Sequence, residues 1–259
     1  MTTTAREDNA MSAAPAAPVD VYLQPHSDDI CFSLGALAHR RRRGRLLTVF
    51  PIAGYVEQPG APRDVAAVTR LRIAEDAAFA AACELTHQRV ELPCASVLGH
   101  HPFDLAWAAD NARRCEAALL AALTALDSEG PREGQPWLFA PSGIGGHVDH
   151  VAVRIVIVRN LAQLEERYRI GFYEDLHYAS DARARREGLR RLFDELPDRA
   201  LVRHAWPLGA EGESKLALIR LYASQFAETP RSLARFSPAT RDDDPPHEAL
   251  WSEERVGPA

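Results

Sequence analysis

Short apolar runs alternate with longer amphipathic stretches through the middle of this chain. Residues 19–23 (VDVYL), 46–52 (LLTVFPI), 89–92 (RVEL), 137–140 (WLFA), 170–173 (IGFY) and 201–206 (LVRHAW) have the length and the branched or aromatic content of strands. Between them, 30–43, 63–85, 103–126, 147–167, 181–196 and 213–226 follow the spacing of helices. Within 147–167 the stretch 151–158 is so β-branched that propensity alone would make it a strand. Strands separated by helices predict parallel crossover units, hence an α/β fold with a Rossmann-like, mostly parallel sheet flanked by helices. One such domain is expected over 19–236. Residues 1–18 are small, polar and Pro-bearing and are expected to fray. The segment 237–259 holds Asp242-Asp243-Asp244-Pro245-Pro246 and little periodic apolar content, and is expected to be an acidic tail or a lid over the body.

Composition narrows the function classes. The chain has 259 residues, 46% hydrophobic and 25% charged, which rules out wholesale disorder. Lys and Arg number 30 against 36 Asp and Glu, a net charge of -6, so broad phosphate neutralisation of a nucleic acid is not expected. The basic run Arg40-Arg41-Arg42-Arg43-Gly44-Arg45 has no interleaved aromatics and falls at a predicted helix end, where cations offset the dipole and Gly44 suits the C′ position. No apolar run is long enough to span a membrane and no signal-peptide core is visible, so a cytoplasmic protein is expected. The four cysteines, Cys31, Cys83, Cys94 and Cys115, form no CxxC pair and read as reduced, partly buried thiols. The first strand is not followed by G-x-G-x-x-G, and Pro141-Ser142-Gly143-Ile144 is not a nucleophile elbow, so neither a dinucleotide-binding protein nor a serine hydrolase is indicated.

In open α/β sheets ligands bind beyond the carboxyl ends of the strands. Two strand-to-helix loops there are rich in chemistry: Gln24-Pro25-His26-Ser27-Asp28-Asp29 and Pro141-Ser142-Gly143-Ile144-Gly145-Gly146-His147-Val148-Asp149-His150. His26 and Asp29, three apart at a loop–helix junction, can converge on one point. His150 would complete a two-His, one-carboxylate set of the catalytic-zinc type, which keeps a position for the reacting water. Asp28 then stands beside the ligands, placed to take a proton from that water. His147 lies one helical turn before His150 on the same side, and Asp149 can buttress either histidine. The competing structural readings make Asp28 and Asp29 helix N-caps and Gly145-Gly146 a tight turn.

The His26-Ser27-Asp28-Asp29 loop resembles the His-Pro-Asp-Asp motif of the PIG-L/LmbE family of zinc-dependent N-deacetylases. Gly146-His147-Val148-Asp149-His150 is similar to that family's Gly-His-x-Asp-His, and Arg72-Ile73-Ala74-Glu75 to its Arg-x-x-Glu. Phe172-Tyr173-Glu174-Asp175-Leu176 and Tyr222-Ala223-Ser224-Gln225 also resemble segments of some members. The resemblance implies an LmbE-like fold and one Zn2+ per chain, or another divalent metal, held by His26, Asp29 and His150. It implies Asp28 as general base, His147 as oxyanion stabiliser or acid for the leaving amine, Asp149 tuning it, and Arg72 facing the substrate. Arg72 has an alternative, a salt bridge to Glu75 or Asp76 on its own helix. Three departures stand out: Ser27 replaces Pro, Ile30 replaces Glu, and Gly145 stands where some members carry Tyr. The expected activity is removal of an acetyl or acyl group from an N-acetyl amino sugar or its glycoconjugate. A deacylase of small amides such as N-acyl amino acids and an inactive sugar-binding relative are the alternatives. The expected partner is a small N-acetylated molecule, with neither nucleic acid nor a membrane span; self-association is left open.

Overall fold

The computed structural model describes residues 18–61, 63–127, 134–225, 232–240 and 244–257. The expected N-terminal tail, up to residue 17, lies outside these, as do Asp242 and Asp243 of the acidic run. Seven strands form one sheet: β1 (Val21–Gln24), β2 (Gly44–Thr48), β3 (Leu85–Arg89), β4 (Trp137–Pro141), β5 (Arg169–Tyr173), β6 (Val202–Pro207) and β7 (His247–Ser252). Their order is β3-β2-β1-β4-β5-β7-β6. The first five are parallel, with Val21 beside Arg45 on one side and Leu138 on the other. The α/β expectation is met. The chain turns away from β1 in both directions, to β2 and to β4, so the crevice between the carboxyl ends of β1 and β4 is the topological switch point.

Alternation along the strands sorts the core into two layers. Tyr22, Leu46, Phe139 and Tyr173 pack against helix α1 (Asp29–Arg41), Phe79 of α2 (Val65–Ala82) and Leu218 of α7 (Gly212–Ile219). Val21, Leu23, Leu47, Leu138 and Phe172 face the opposite way, onto α3 (Ala108–Asp127) and α4 (Val148–Arg159). Burial overrides propensity in α4: Val153, Val156 and Ile157 are fully enclosed within this layer, so the β-branched run stays helical. The helix expected to continue to 167 breaks at Asn160, which ends α4 and precedes the short α5 (Leu161–Glu165); α6 (Ala182–Glu195) follows β5.

The C-terminal segment departs from expectation. Instead of a tail or lid, it contributes β7, which lies antiparallel between β5 and β6, with Tyr173 opposite Leu250 and Ala205 opposite Ala249. Its apolar run is short and follows Pro and Asp, which hides the strand from a periodicity reading. Strand β3 begins at Leu85 rather than 89 and lies at the sheet edge, where polar Thr86, His87 and Gln88 are tolerated. At the end of α1 the left-handed residue is Arg42, not Gly44. Gly44 opens β2 at φ 152°, where a Cβ would stand 2.6 Å from the Tyr22 ring. Three arginines of the basic run form ion pairs with protein carboxylates: Arg40 with Glu211, Arg41 with Asp20 and Arg42 with Glu84. All four cysteines are free and buried.

Candidate metal centre

Both expected loops reach the switch point, and a third joins them from the end of β5. At the exit of β1, Asp28 adopts φ 111°, a left-handed conformation that L-residues hold only against strain of about 1–3 kcal/mol. It stands at the N-cap of α1, yet its side chain makes no capping bond. The carboxylate instead accepts from Arg72 Nη2 at 3.1 Å, and the same nitrogen donates to the Ser27 carbonyl at 2.5 Å. Arg72 lines the cavity, but its charge is directed at Asp28. Neither helix neighbour replaces that partner, because Glu75 accepts from the Ser224 amide and hydroxyl and Asp76 from Gln24, Thr48 and Tyr222.

Asp29 lies between two imidazoles. Its Oδ2 accepts the His26 amide at 2.8 Å and lies 3.6 Å from His26 Nδ1, and its Oδ1 is 3.3 Å from His150 Nε2. The far nitrogen of each ring is held by a buried carboxylate: His26 Nε2 by Asp149 Oδ2 at 2.9 Å, and His150 Nδ1 by Asp175 Oδ1 at 2.8 Å. Carboxylates in those positions hold a proton on each outer nitrogen, so that a cation displacing the inner proton would meet the inner nitrogen's lone pair on the side of Asp29. Asp149 is itself anchored by the Ala95 amide and Asn111 Nδ2, so its carboxylate serves His26 rather than His147.

His147 has the opposite arrangement. It caps α4, its Nδ1 accepting the Asp149 amide at 3.3 Å. A ring nitrogen that accepts has no proton, so His147 carries its proton on Nε2. His26, His147 and His150 each offer a ring nitrogen, all within 4.8 Å of one another.

Burial would push the His26 ring toward neutrality, but bonds from Asp149 and Asp29 outweigh it and hold its pKa at about 9. Burial also dominates at Asp28, raising its carboxyl to about 8 against the pull of Arg72, with Asp29 adding to the rise. Asp29 is held well below the ordinary carboxyl range, its desolvation outweighed by the charge and hydrogen bonds of His150 and His26. His147 is pushed well below the usual imidazole range by burial and by the neighbouring His26 and His150. Four buried carboxyl groups (Asp28, Asp29, Asp149, Asp175) are gathered around these rings, and a cation bound among them would favour their charged forms.

The sequence reading did not assign Asp175. It lies two residues past the end of β5, where it holds His150 and also accepts from Ser142 Oγ at 2.7 Å and the Ile144 amide at 2.9 Å. A carboxylate just beyond a strand's carboxyl end was its only signal. His100 lies outside the cavity lining and stacks on Trp107 at 3.8 Å. The cavity above these groups measures about 390 Å³, within the roughly 300–1,000 Å³ of small-molecule sites, and Phe32, Tyr55, Phe103 and Tyr178 supply its apolar walls. Among the described residues no helix is long and apolar enough to cross a membrane.

No family model and no curated protein sequence matches the chain. Solved structures do match its fold. A deacetylase of the teicoplanin biosynthesis pathway aligns with TM-score 0.62 at 18% identity over 89% of this chain and 96% of its own. The A40926 pseudoaglycone deacetylase Dbv21 aligns with TM-score 0.61 at 20% identity, over 92% and 97%. The zinc-inhibited form of the teicoplanin deacetylase Orf2 aligns with TM-score 0.60 at 19% identity, over 89% and 96%. The chain therefore has the fold of these deacetylases.

Proposed function

We propose that the chain is a metal-dependent N-deacetylase that removes an acetyl or other acyl group from the amine of an N-acetyl amino sugar or its glycoconjugate. The observation that carries this reading is the pair of imidazoles converging on Asp29, each backed by a buried carboxylate, with Asp28 alongside. His26, Asp29 and His150 would hold one divalent ion, zinc by the chemistry of the donor set. When bound, such an ion lowers the pKa of water and polarises a carbonyl oxygen. That the structural neighbours are named as deacetylases supports the same reaction class.

The remaining steps fall to side chains. Asp28, held in place by Arg72 and made more basic by burial, takes a proton from the attacking water. Neutral His147 has only its Nε2 proton and would become an anion by giving it away. It therefore serves as a hydrogen-bond donor to developing charge, and the proton held by Asp28 passes to the departing amine. Arg72 is a positioning residue for Asp28.

The test is acetate release from zinc-supplemented protein across N-acetylated hexosamines, glycolipid headgroups, glycopeptides and N-acyl amino acids. Release that a chelator abolishes, and that Asp28→Asn lowers by about 10²–10⁴-fold with metal content unchanged, is expected. Stoichiometric sugar binding without release would mark a binding protein, and release confined to N-acyl amino acids would move the substrate class.

A further inference from the structure

Hydrolysis of an amide places negative charge on the former carbonyl oxygen, and fixed donors at that point supply much of the acceleration. Most polar groups at the floor of the cavity already have partners. Arg72 Nη2 is bound to Ser27 and Asp28, and the outer nitrogens of His26 and His150 rest on Asp149 and Asp175. His147 Nε2–H supplies one donor. The phenol of Tyr178 also makes no bond to the described residues; Arg72 Nε is likewise buried without a partner, but it belongs to the guanidinium turned onto Ser27 and Asp28, whereas the Tyr178 ring stands against His150.

Tyr178 belongs to the turn Tyr178–Ser180 after β5. Its ring stands edge-on to His150, with centroids 5.7 Å apart and planes at 89°, and edge-on to Phe103 at 6.1 Å. The base of the side chain is clamped over Gly145. A Cβ built there would lie 2.4 Å from Tyr178 Cγ and 2.6 Å from its Cβ and Cδ1, and the glycine's φ of +88° suits no other residue well. The close contacts all involve the base of the ring, so the hydroxyl lies at its far end, away from Gly145. An ordinary phenol keeps its proton at neutral pH and is a donor there.

We propose that the Tyr178 hydroxyl donates a hydrogen bond to the acyl oxygen as it becomes negative, forming with His147 a two-donor oxyanion site for which Gly145 makes room. This assignment rests on the deacetylase reading. No proton is transferred: the phenol keeps its hydrogen, and the bond strengthens as charge develops.

Tyr178→Phe removes only the hydroxyl and leaves the ring on Gly145. With zinc-loaded full-length protein, three quantities distinguish the outcomes: turnover of an N-acetylated hexosamine, metal content, and calorimetric affinity for the methylphosphonamide of the same amino sugar, a tetrahedral anionic mimic. The variant is expected to keep its zinc and its affinity for the free amine. Its kcat should fall about 10²–10³-fold with KM little changed, and the phosphonamide should bind at least about tenfold more weakly. Wild-type kcat and phosphonamide affinity in Tyr178→Phe would overturn the assignment, as would a raised KM at unchanged kcat, which would make Tyr178 a ground-state contact. Wild-type protein that neither hydrolyses the amide nor prefers the phosphonamide would overturn the deacetylase reading itself.

Discussion

His147 and His150 stand one turn apart at the start of α4, yet their second nitrogens meet opposite partners. At His150 Asp175 accepts, so the inward nitrogen can offer its lone pair to a cation that displaces its proton; at His147 a backbone amide donates, so the inward nitrogen offers a proton. The first suits a cation and the second an anion. His150→Ala is therefore expected to lose bound metal on dialysis. His147→Ala should retain it at wild-type stoichiometry while kcat falls about 10²–10³-fold. Equal metal loss in the two variants would refute this division. Much of the site could be read from spacing alone, because His26 with Asp29 and His147 with His150 are close in sequence and open helices at strand ends. Two residues could not. Asp175 arrives from the next strand's loop, 25 residues beyond His150, and the direction of Arg72 depends on a left-handed backbone at Asp28 that no propensity predicts.

At the scale of elements, α1 shows how a distant strand shapes the helix beside the candidate metal centre. Leu34 leaves helical geometry, at φ -132° and ψ 23°, because an ion pair has entered the hydrogen-bond ladder. The Phe32 carbonyl accepts Lys215 Nζ at 2.7 Å, while the Ala36 and Leu37 amides donate to Glu248 at 2.8 and 2.9 Å. Lys215 and Glu248 complete the arrangement at 2.6 Å, both buried. Lys215→Met would strand the Glu248 carboxylate in the core and is expected to cost about 3–5 kcal/mol. Lys215→Met with Glu248→Gln should recover part of that loss, since no bare charge remains. Urea unfolding measures both, and a wild-type midpoint in the single variant would show that the pair carries no stability. The helix itself was legible from its apolar face. Its kink was not, because the kinking carboxylate comes from β7, a strand whose polar His247 and Glu248 break the alternation by which strands are recognised.

Across the whole molecule, Glu174 joins the segments that pack around the C-terminal edge of the sheet. It sits fully buried at the exit of β5 and accepts from Arg185 of α6 at 2.6 and 2.8 Å, Arg203 of β6 at 2.8 Å and Trp251 Nε1 of β7 at 3.0 Å. Burial alone would raise its carboxyl, but the bonds and charges of Arg185 and Arg203 outweigh it and hold the pKa below the usual 4.5. A carboxyl that binds its proton less readily folded than unfolded stabilises the fold above the unfolded pKa. That contribution is lost as pH falls through the lower, folded value. Stability of the wild-type chain should thus decline below about pH 4.5, where the unfolded chain begins to take up the proton. Glu174→Gln is expected to be less stable at pH 7, by about 1–3 kcal/mol, since the two half-buried arginines lose their charged partner but keep some access to water. Its urea midpoint should fall less steeply than that of wild type between about pH 4.5 and 3, because this proton uptake is gone. The titration belongs in chelator, so that acid release of any metal bound at the candidate centre does not add its own slope to both curves. Parallel curves for the two proteins would mean that Glu174 titrates alike folded and unfolded, and that packing around Leu250, rather than this charge, holds β7 between its neighbours.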